Sequence, residues 1–303
     1  MLQHITIPRG PIELAADLYL PDDVGDEPVR AVVLSTPGSS VKEQIGANYA
    51  SRLAARGIAA LVFDPAHQGR SGGEPRDLED PYRRGEDISY AIDALSTVHP
   101  VDPERIGVLG ICAGGGYAVH TARTDHRIRA VGTVVPGDIG TSFRSFPPDG
   151  PVAALDALAD QRLDEVRAGA LSRSPWLPDT PEEATDAGID DVDTLQAITY
   201  YRTGRGGSEH STNRRLSRGD PLLLGYDAYH LVDPLMTQPL QVVLAGRAGS
   251  TGSYESGMRL WGLAPRPVDL MVVEGAGHYE MYDVPEYVDA AVARLVEFYR
   301  DHL

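Results

Sequence analysis

Cys112 is the only cysteine in a chain of 303 residues, and it sits at the centre of Gly110-Ile111-Cys112-Ala113-Gly114, a G-x-C-x-G pattern. The apolar run at 105–109 reads as a short buried strand, and 116–120 reads as the opening of a helix. Strand, sharp turn and helix are the setting in which G-x-S-x-G becomes a nucleophile elbow, here with a thiol where that motif has a hydroxyl. Glycines two residues to either side let the backbone pass close to its neighbours while the central residue holds a strained conformation. A small buried side chain in a tight turn would also suit a free cysteine, but it gives no reason for both glycines.

A thiolate attacking a carbonyl needs a base, a group that orients the base, and N–H donors for the oxyanion. Of the nine histidines, His278 ends Glu274-Gly275-Ala276-Gly277-His278, directly after the last expected strand and before the closing helix. That is the carboxyl edge of a parallel sheet, where sites form. The orienting acid should follow the strand before it, yet Ala245-Gly246-Arg247-Ala248-Gly249-Ser250-Thr251 contains no carboxylate, and the next is Glu255. Asp138 follows the strand beside the elbow strand and is the first candidate; Glu255 is the second, and a Cys–His pair without an acid is the third. Oxyanion donors are expected from the amide of Ala113 and from Ser39 or Ser40 in Thr36-Pro37-Gly38-Ser39-Ser40. A Cys112–His278 ion pair would alkylate rapidly well below pH 8.5.

These groups need a scaffold. Apolar runs at 31–35, 59–63, 105–109, 130–135, 241–244 and 268–273 alternate with helix-length segments, the pattern of a mostly parallel sheet covered on both faces. Residues 5–8 and 12–20 form an opening hairpin around Arg9-Gly10. Ile45, Tyr49 and Leu53 share one helical face, as do Ile88, Ala91, Ile92, Leu95 and Val98. The closing helix from Pro285 buries Val288, Val292, Leu295, Val296 and Tyr299. Between Gly140 and Pro239 the alternation stops. The expected organisation is a core of 1–140 and 239–303 with a helical cap inserted at 141–238. That cap carries Arg202, Arg205, Arg214, Arg215 and Arg218, with Glu209 the single acid among them. Such a patch suits a solvated surface, an acidic carrier protein or a substrate carboxylate.

The net charge of −17 argues against nucleic acid or an anionic membrane as partner. No apolar stretch is long enough to span a bilayer, and the first eight residues lack the pattern of a signal peptide. A single cysteine suits a reducing cytoplasm. No cofactor and no metal are expected.

These residues together resemble the α/β-hydrolase superfamily, and within it the dienelactone-hydrolase-like group that includes the YcjY-type proteins. Asp64-Pro65-Ala66-His67-Gln68-Gly69-Arg70-Ser71-Gly72-Gly73 is similar to the group's D-x-R-G-x-G-x-S-G-G loop, with Pro65 in place of the arginine. Val101-Asp102-Pro103-Glu104-Arg105-Ile106-Gly107 leads into the elbow as in that group, and Tyr200-Tyr201-Arg202-Thr203-Gly204-Arg205-Gly206 resembles its cap motif. The resemblance implies the α/β-hydrolase fold. Ser250 at the usual acid position and Cys112 as nucleophile also resemble the Cys-dependent Dieckmann cyclases that close tetramate rings, relatives with the acid moved to the strand after the elbow. The expected activity is acyl-enzyme chemistry on a small ester or thioester through Cys112, His278 and Asp138. Cyclisation is the alternative outcome, and a non-catalytic binding protein is a third reading.

Overall fold

The computed structural model describes residues 1–23 and 28–303. In chain order its strands are β1 (Leu2–Arg9), β2 (Ile12–Tyr19), β3 (Val29–Ser35), β4 (Ala59–Phe63), β5 (Val101–Ile111), β6 (Val131–Val134), β7 (Arg173–Pro175), β8 (Arg214–Leu216), β9 (Leu240–Ala245) and β10 (Pro267–Val273). Its α-helices are α1 (Ala47–Ala54), α2 (Pro81–Leu95), α3 (Ala113–Ala122), α4 (Ile139–Ser145), α5 (Gly150–Ala168), α6 (Pro181–Asp186), α7 (Val192–Tyr201), α8 (Asp220–Leu224), α9 (Val232–Leu235), α10 (Ser253–Leu263) and α11 (Pro285–His302).

Eight strands form one sheet in the order β1-β2-β4-β3-β5-β6-β9-β10. The six from β4 to β10 run parallel, and the β1–β2 hairpin is antiparallel at one edge. The hairpin turn is Gly10-Pro11 rather than Arg9-Gly10: Arg9 stays in the ladder opposite Ile12, and Gly10 takes the positive φ of 58° that the two-residue turn requires.

Parallel strands with both faces covered should be apolar without alternation. Ala59–Phe63 and Leu240–Ala245 are buried at every position. Their side chains still divide by parity: Val33, Leu61, Val108 and Val242 join one core with Ile88, Ile92, Leu95 and Tyr117. Val32, Leu34, Leu109 and Val243 join the other with Tyr49, Leu53, Val288 and Leu295. The apolar stripes read from the sequence in α1, α2 and α11 are the faces these helices bury, except that buried Ile45 falls in the turn before α1 and half-buried Val98 in the turn after α2. α2 begins where Asp80 accepts the N–H groups of Tyr82 and Arg83, with Pro81 at the first helical position.

After β3 the chain passes to β4 on one side and then returns to place β5 on the other. The crevice between the carboxyl ends of β3 and β5 is therefore a switch point, the usual place for a ligand in such sheets. Between β6 and β9 no described strand joins this sheet. That stretch supplies α4 to α9 and the separate β7–β8 ribbon. No helix of the described residues is long and apolar enough to cross a membrane.

Candidate active site

Cys112 joins β5 to α3 with φ 55° and ψ −126°, a conformation that an L-residue adopts only under constraint. The constraint is visible around it. Its N–H donates to the Val134 carbonyl at 3.0 Å, and its carbonyl accepts from Gly115 and Gly137, each at 2.8 Å. A Cβ on Gly110 would lie 2.4 Å from the Gly114 carbonyl oxygen, and one on Gly114 would lie 2.1 Å from that of Ser35. The flanking glycines are thus required by close backbone approach, as the spacing implied.

The thiol borders a cavity of about 410 Å³, with the aromatic and aliphatic side chains of Phe143, Phe146, Trp176 and Leu177 among its lining residues. Ala113 and Ser39 border it too. The Ser40 amide donates to the Pro37 carbonyl at 3.2 Å, whereas those of Ala113 and Ser39 have no backbone acceptor among the described residues. Ser39 takes a positive φ of 61°. The loop is held from beneath by buried Arg84, whose Nη2 donates to the Thr36 carbonyl and, at 3.0 Å, to that of Pro37. Arg84 packs over the Tyr117 ring and lies 3.4 Å from the buried Glu79 carboxylate.

His278 opens a short helical turn, His278–Tyr282, behind β10. α1 anchors this turn: the Tyr49 hydroxyl donates to the Met281 carbonyl at 2.8 Å, and Asn48 donates to that of Tyr282 at 2.7 Å. The imidazole is 2 % exposed and lies against the rings of Tyr279 and Tyr282. Its Nδ1 is 2.9 Å from Ser253 Oγ, and its Nε2 is 3.1 Å from the Tyr282 hydroxyl.

The expected carboxylate contact is not made. Asp138 is the N-cap of α4: its carboxylate accepts from the Gly140 N–H at 3.1 Å, the Thr141 hydroxyl at 2.7 Å and the Ala228 N–H at 3.3 Å. Arg259 approaches the same group at 3.4 Å. These donors hold Asp138 in the cap. Glu255, the second candidate, is likewise without a bond to His278. Both carboxylates line a neighbouring cavity of about 400 Å³. Of the sequence-derived site residues, the structure therefore gathers Cys112, Ala113, Ser39 and His278 around one cavity and leaves Asp138 and Glu255 outside that group. Ser253 stands in the orienting position.

Burial fixes the protonation states. It lowers the His278 pKa from 6.5 to about 3, so the ring is neutral. It raises that of the Cys112 thiol, against the opposing effects of the Tyr282 hydroxyl, the Ala113 amide and the Arg84 guanidinium. A neutral thiol beside a neutral imidazole replaces the ion pair considered from the sequence. The tautomer with its proton on Nδ1 would donate to Ser253 Oγ and leave Nε2 to accept from Tyr282.

Sequence reasoning missed Ser253, Tyr282 and Arg84. Each left a trace: Ser253 closes a hydroxyl-rich stretch at the acid position, Tyr282 lies one turn after His278, and Arg84 falls on the apolar face of α2, four residues before Ile88. Four of the five cap arginines are paired, which leaves only exposed Arg214 without an ion pair among the described residues. Arg202 pairs with Asp179 at 2.9 Å, Arg205 with Asp283 at 2.6 Å, Arg215 with Asp220 at 2.6 Å and Arg218 with Glu165 at 2.7 Å.

The chain is 37% identical over 300 residues to the uncharacterised protein YcjY of Escherichia coli K12, covering 96% of this chain and 95% of that one. The crystal structure of the hypothetical protein PA2218 from Pseudomonas aeruginosa superimposes with a TM-score of 0.90 at 29% identity, over 100% of this chain and 94% of that one. A thiohydrolase of Aspergillus aculeatus, aneE, is 33% identical over 167 residues, 55% of this chain and 51% of that one. A switch-point cavity, a strained elbow and a histidine behind the last strand accompany a match of residues 33–291 to the family's sequence model, and the chain belongs to the alpha/beta hydrolase family.

Proposed function

We propose that the protein is a cysteine-dependent acyl-transfer enzyme that hydrolyses thioesters through an acyl intermediate on Cys112. The observation that carries this reading is a convergence at one end of a cavity. A strained cysteine, an imidazole reached through Tyr282, and the amides of Ala113 and Ser39, neither bound to a backbone acceptor among the described residues, meet there.

As a carbonyl carbon approaches Sγ, the thiol proton passes to the Tyr282 oxygen while the phenol proton passes to His278 Nε2, so the phenol ends unchanged and the imidazole is protonated. The S–C bond forms and the carbonyl pair moves to oxygen, where the two amides receive it. Collapse breaks the bond to the leaving group, which takes the proton back from Nε2 through Tyr282. Water attacks the acyl-cysteine by the same route and restores the thiol. The imidazolium forms in a buried site with only the Ser253 hydroxyl as its partner, without the carboxylate that usually stabilises it. That favours a leaving group needing little protonation: a thiol, with a pKa near 8.5, rather than an alcohol. The thiohydrolase among the relatives supports the same choice. The cyclase reading drew on Cys112 as nucleophile, Ser250 at the usual acid position and a shifted triad completed by Asp138. With Asp138 capping α4, that reading has no separate support.

The test is single-turnover reaction with acyl thioesters of small thiols, followed by intact mass. Wild-type protein should carry one acyl group and release acid. Cys112→Ala should do neither, and Cys112→Ser should retain slow hydrolysis of activated esters. Undiminished turnover by the alanine variant overturns the acyl-enzyme. Absence of both adduct and turnover in the wild type returns the protein to a binding role.

A further inference from the structure

Arg215 is the single Lys, Arg, Asp or Glu among the residues lining the Cys112 cavity. Its side chain is 16% exposed. Asp220 holds the guanidinium by two bonds, from Nε at 2.6 Å and from Nη2 at 3.2 Å. Its central carbon lies 5.0 Å from the ring centroids of both Phe143 and Trp176, so the fork is fixed on an aromatic wall. Nη1 has no acceptor among the described residues. An apolar chain filling this cavity would strip water from Nη1 and leave its N–H groups unpaired, which costs more than the contact returns.

The pair with Asp220 decides what kind of group belongs there. Arg215 and Asp220 together are neutral. A substrate carboxylate would enter a weakly polar cavity with Asp220 close by, leaving one uncompensated charge and losing its own hydration. A neutral oxygen accepts from Nη1 without disturbing the pair. Resting on the thioester-hydrolase reading above, we propose that Arg215 selects acyl chains bearing a neutral carbonyl oxygen, of a ketone or amide, away from the thioester. The substrate class is then an oxygenated acyl thioester rather than a plain fatty-acyl one.

The test is kcat/KM on thioesters of equal length and one common thiol: alkanoyl, keto-alkanoyl with the ketone stepped along the chain, and ω-carboxyalkanoyl. At one ketone position the wild type should prefer the keto chain over the alkanoyl chain by about tenfold or more, mainly through KM, with the carboxylated chain below the keto chain. Arg215→Lys should keep part of that preference. The double change Arg215→Met with Asp220→Leu removes both charges together, which protects the fold, and should bring the preference close to unity. The proposal is overturned if the wild type treats keto and alkanoyl chains alike, if the carboxylated chain is the best substrate, or if the preference survives the double change. Failure of the wild type on every thioester would instead overturn the hydrolase reading.

Discussion

His278 should make the fold labile to acid by an amount that can be worked out. The folded ring stays neutral down to about pH 3, whereas an unfolded histidine takes up its proton near pH 6.5. Between those values the unfolded chain binds one more proton than the folded one, so stability falls as pH falls. At pH 4.5 the unfolded ring is favoured by a factor of about 100, equivalent to about 3 kcal/mol. That figure is set almost entirely by the unfolded histidine. Raising the folded pKa to about 4 would change it by less than about 0.3 kcal/mol. The perturbation is His278→Gln, which removes the titration, and the assay is urea unfolding of both proteins at pH 7.5 and pH 4.5. Wild type should lose about 3 kcal/mol more than the variant on acidification. His120, lowered to about 4 by burial, titrates in both proteins and cancels. Equal losses would refute the reasoning. They would mean that a carboxylate such as Asp138 reaches His278 in solution and holds its pKa up.

The same protonation states make three further predictions. Alkylation of Cys112 by iodoacetamide should be slow at neutral pH and climb through the alkaline range, because burial raises the thiol and a neutral imidazole does not stabilise the thiolate; a plateau near pH 6 would reveal an ion pair instead. Ser253→Ala should lower the rate of acyl transfer about tenfold or more by freeing the imidazole, and Ser253→Asp should move the alkylation profile to lower pH by supplying the missing carboxylate. Asp138→Ala should instead cost about 1 kcal/mol of stability through the α4 cap while changing the rate only a few-fold, measured by urea unfolding and steady-state turnover.

Much of the fold was legible because its signals are local. The strands at 59–63 and 268–273, the helical stripe through Ile88, Ile92 and Leu95, which was read as far as Val98, and the closing helix from Pro285 are all written as runs or periods of apolar residues. The elbow was legible for a related reason. Gly110 meets the backbone of Gly114 and Gly115, and Gly114 meets that of Ser35 at the end of the neighbouring strand; a side chain fits at neither, so the contact is recorded in the residue type. His278 was readable because its place follows from the order of strands.

The orienting group was not readable, since that role is expected of a carboxylate, Asp138 or Glu255, and a serine hydroxyl gives no such signal. A carboxylate looked the better partner. In three dimensions its oxygens are already taken by Gly140, Thr141 and Ala228, and the α10 terminus brings the Ser253 hydroxyl to His278 instead. The cap arginines show the same division. Their number and spacing are sequence facts, but whether they make a positive surface depends on partners such as Asp179, Asp283, Asp220 and Glu165 that packing brings alongside. What the sequence determined by itself was the succession of strands and helices, the strained thiol and the histidine behind the last strand, each written in local residue types and spacing. Which groups share a proton, and which charges stand free, only the tertiary structure decided, because hydrogen bonds and desolvation depend on neighbours remote in the chain.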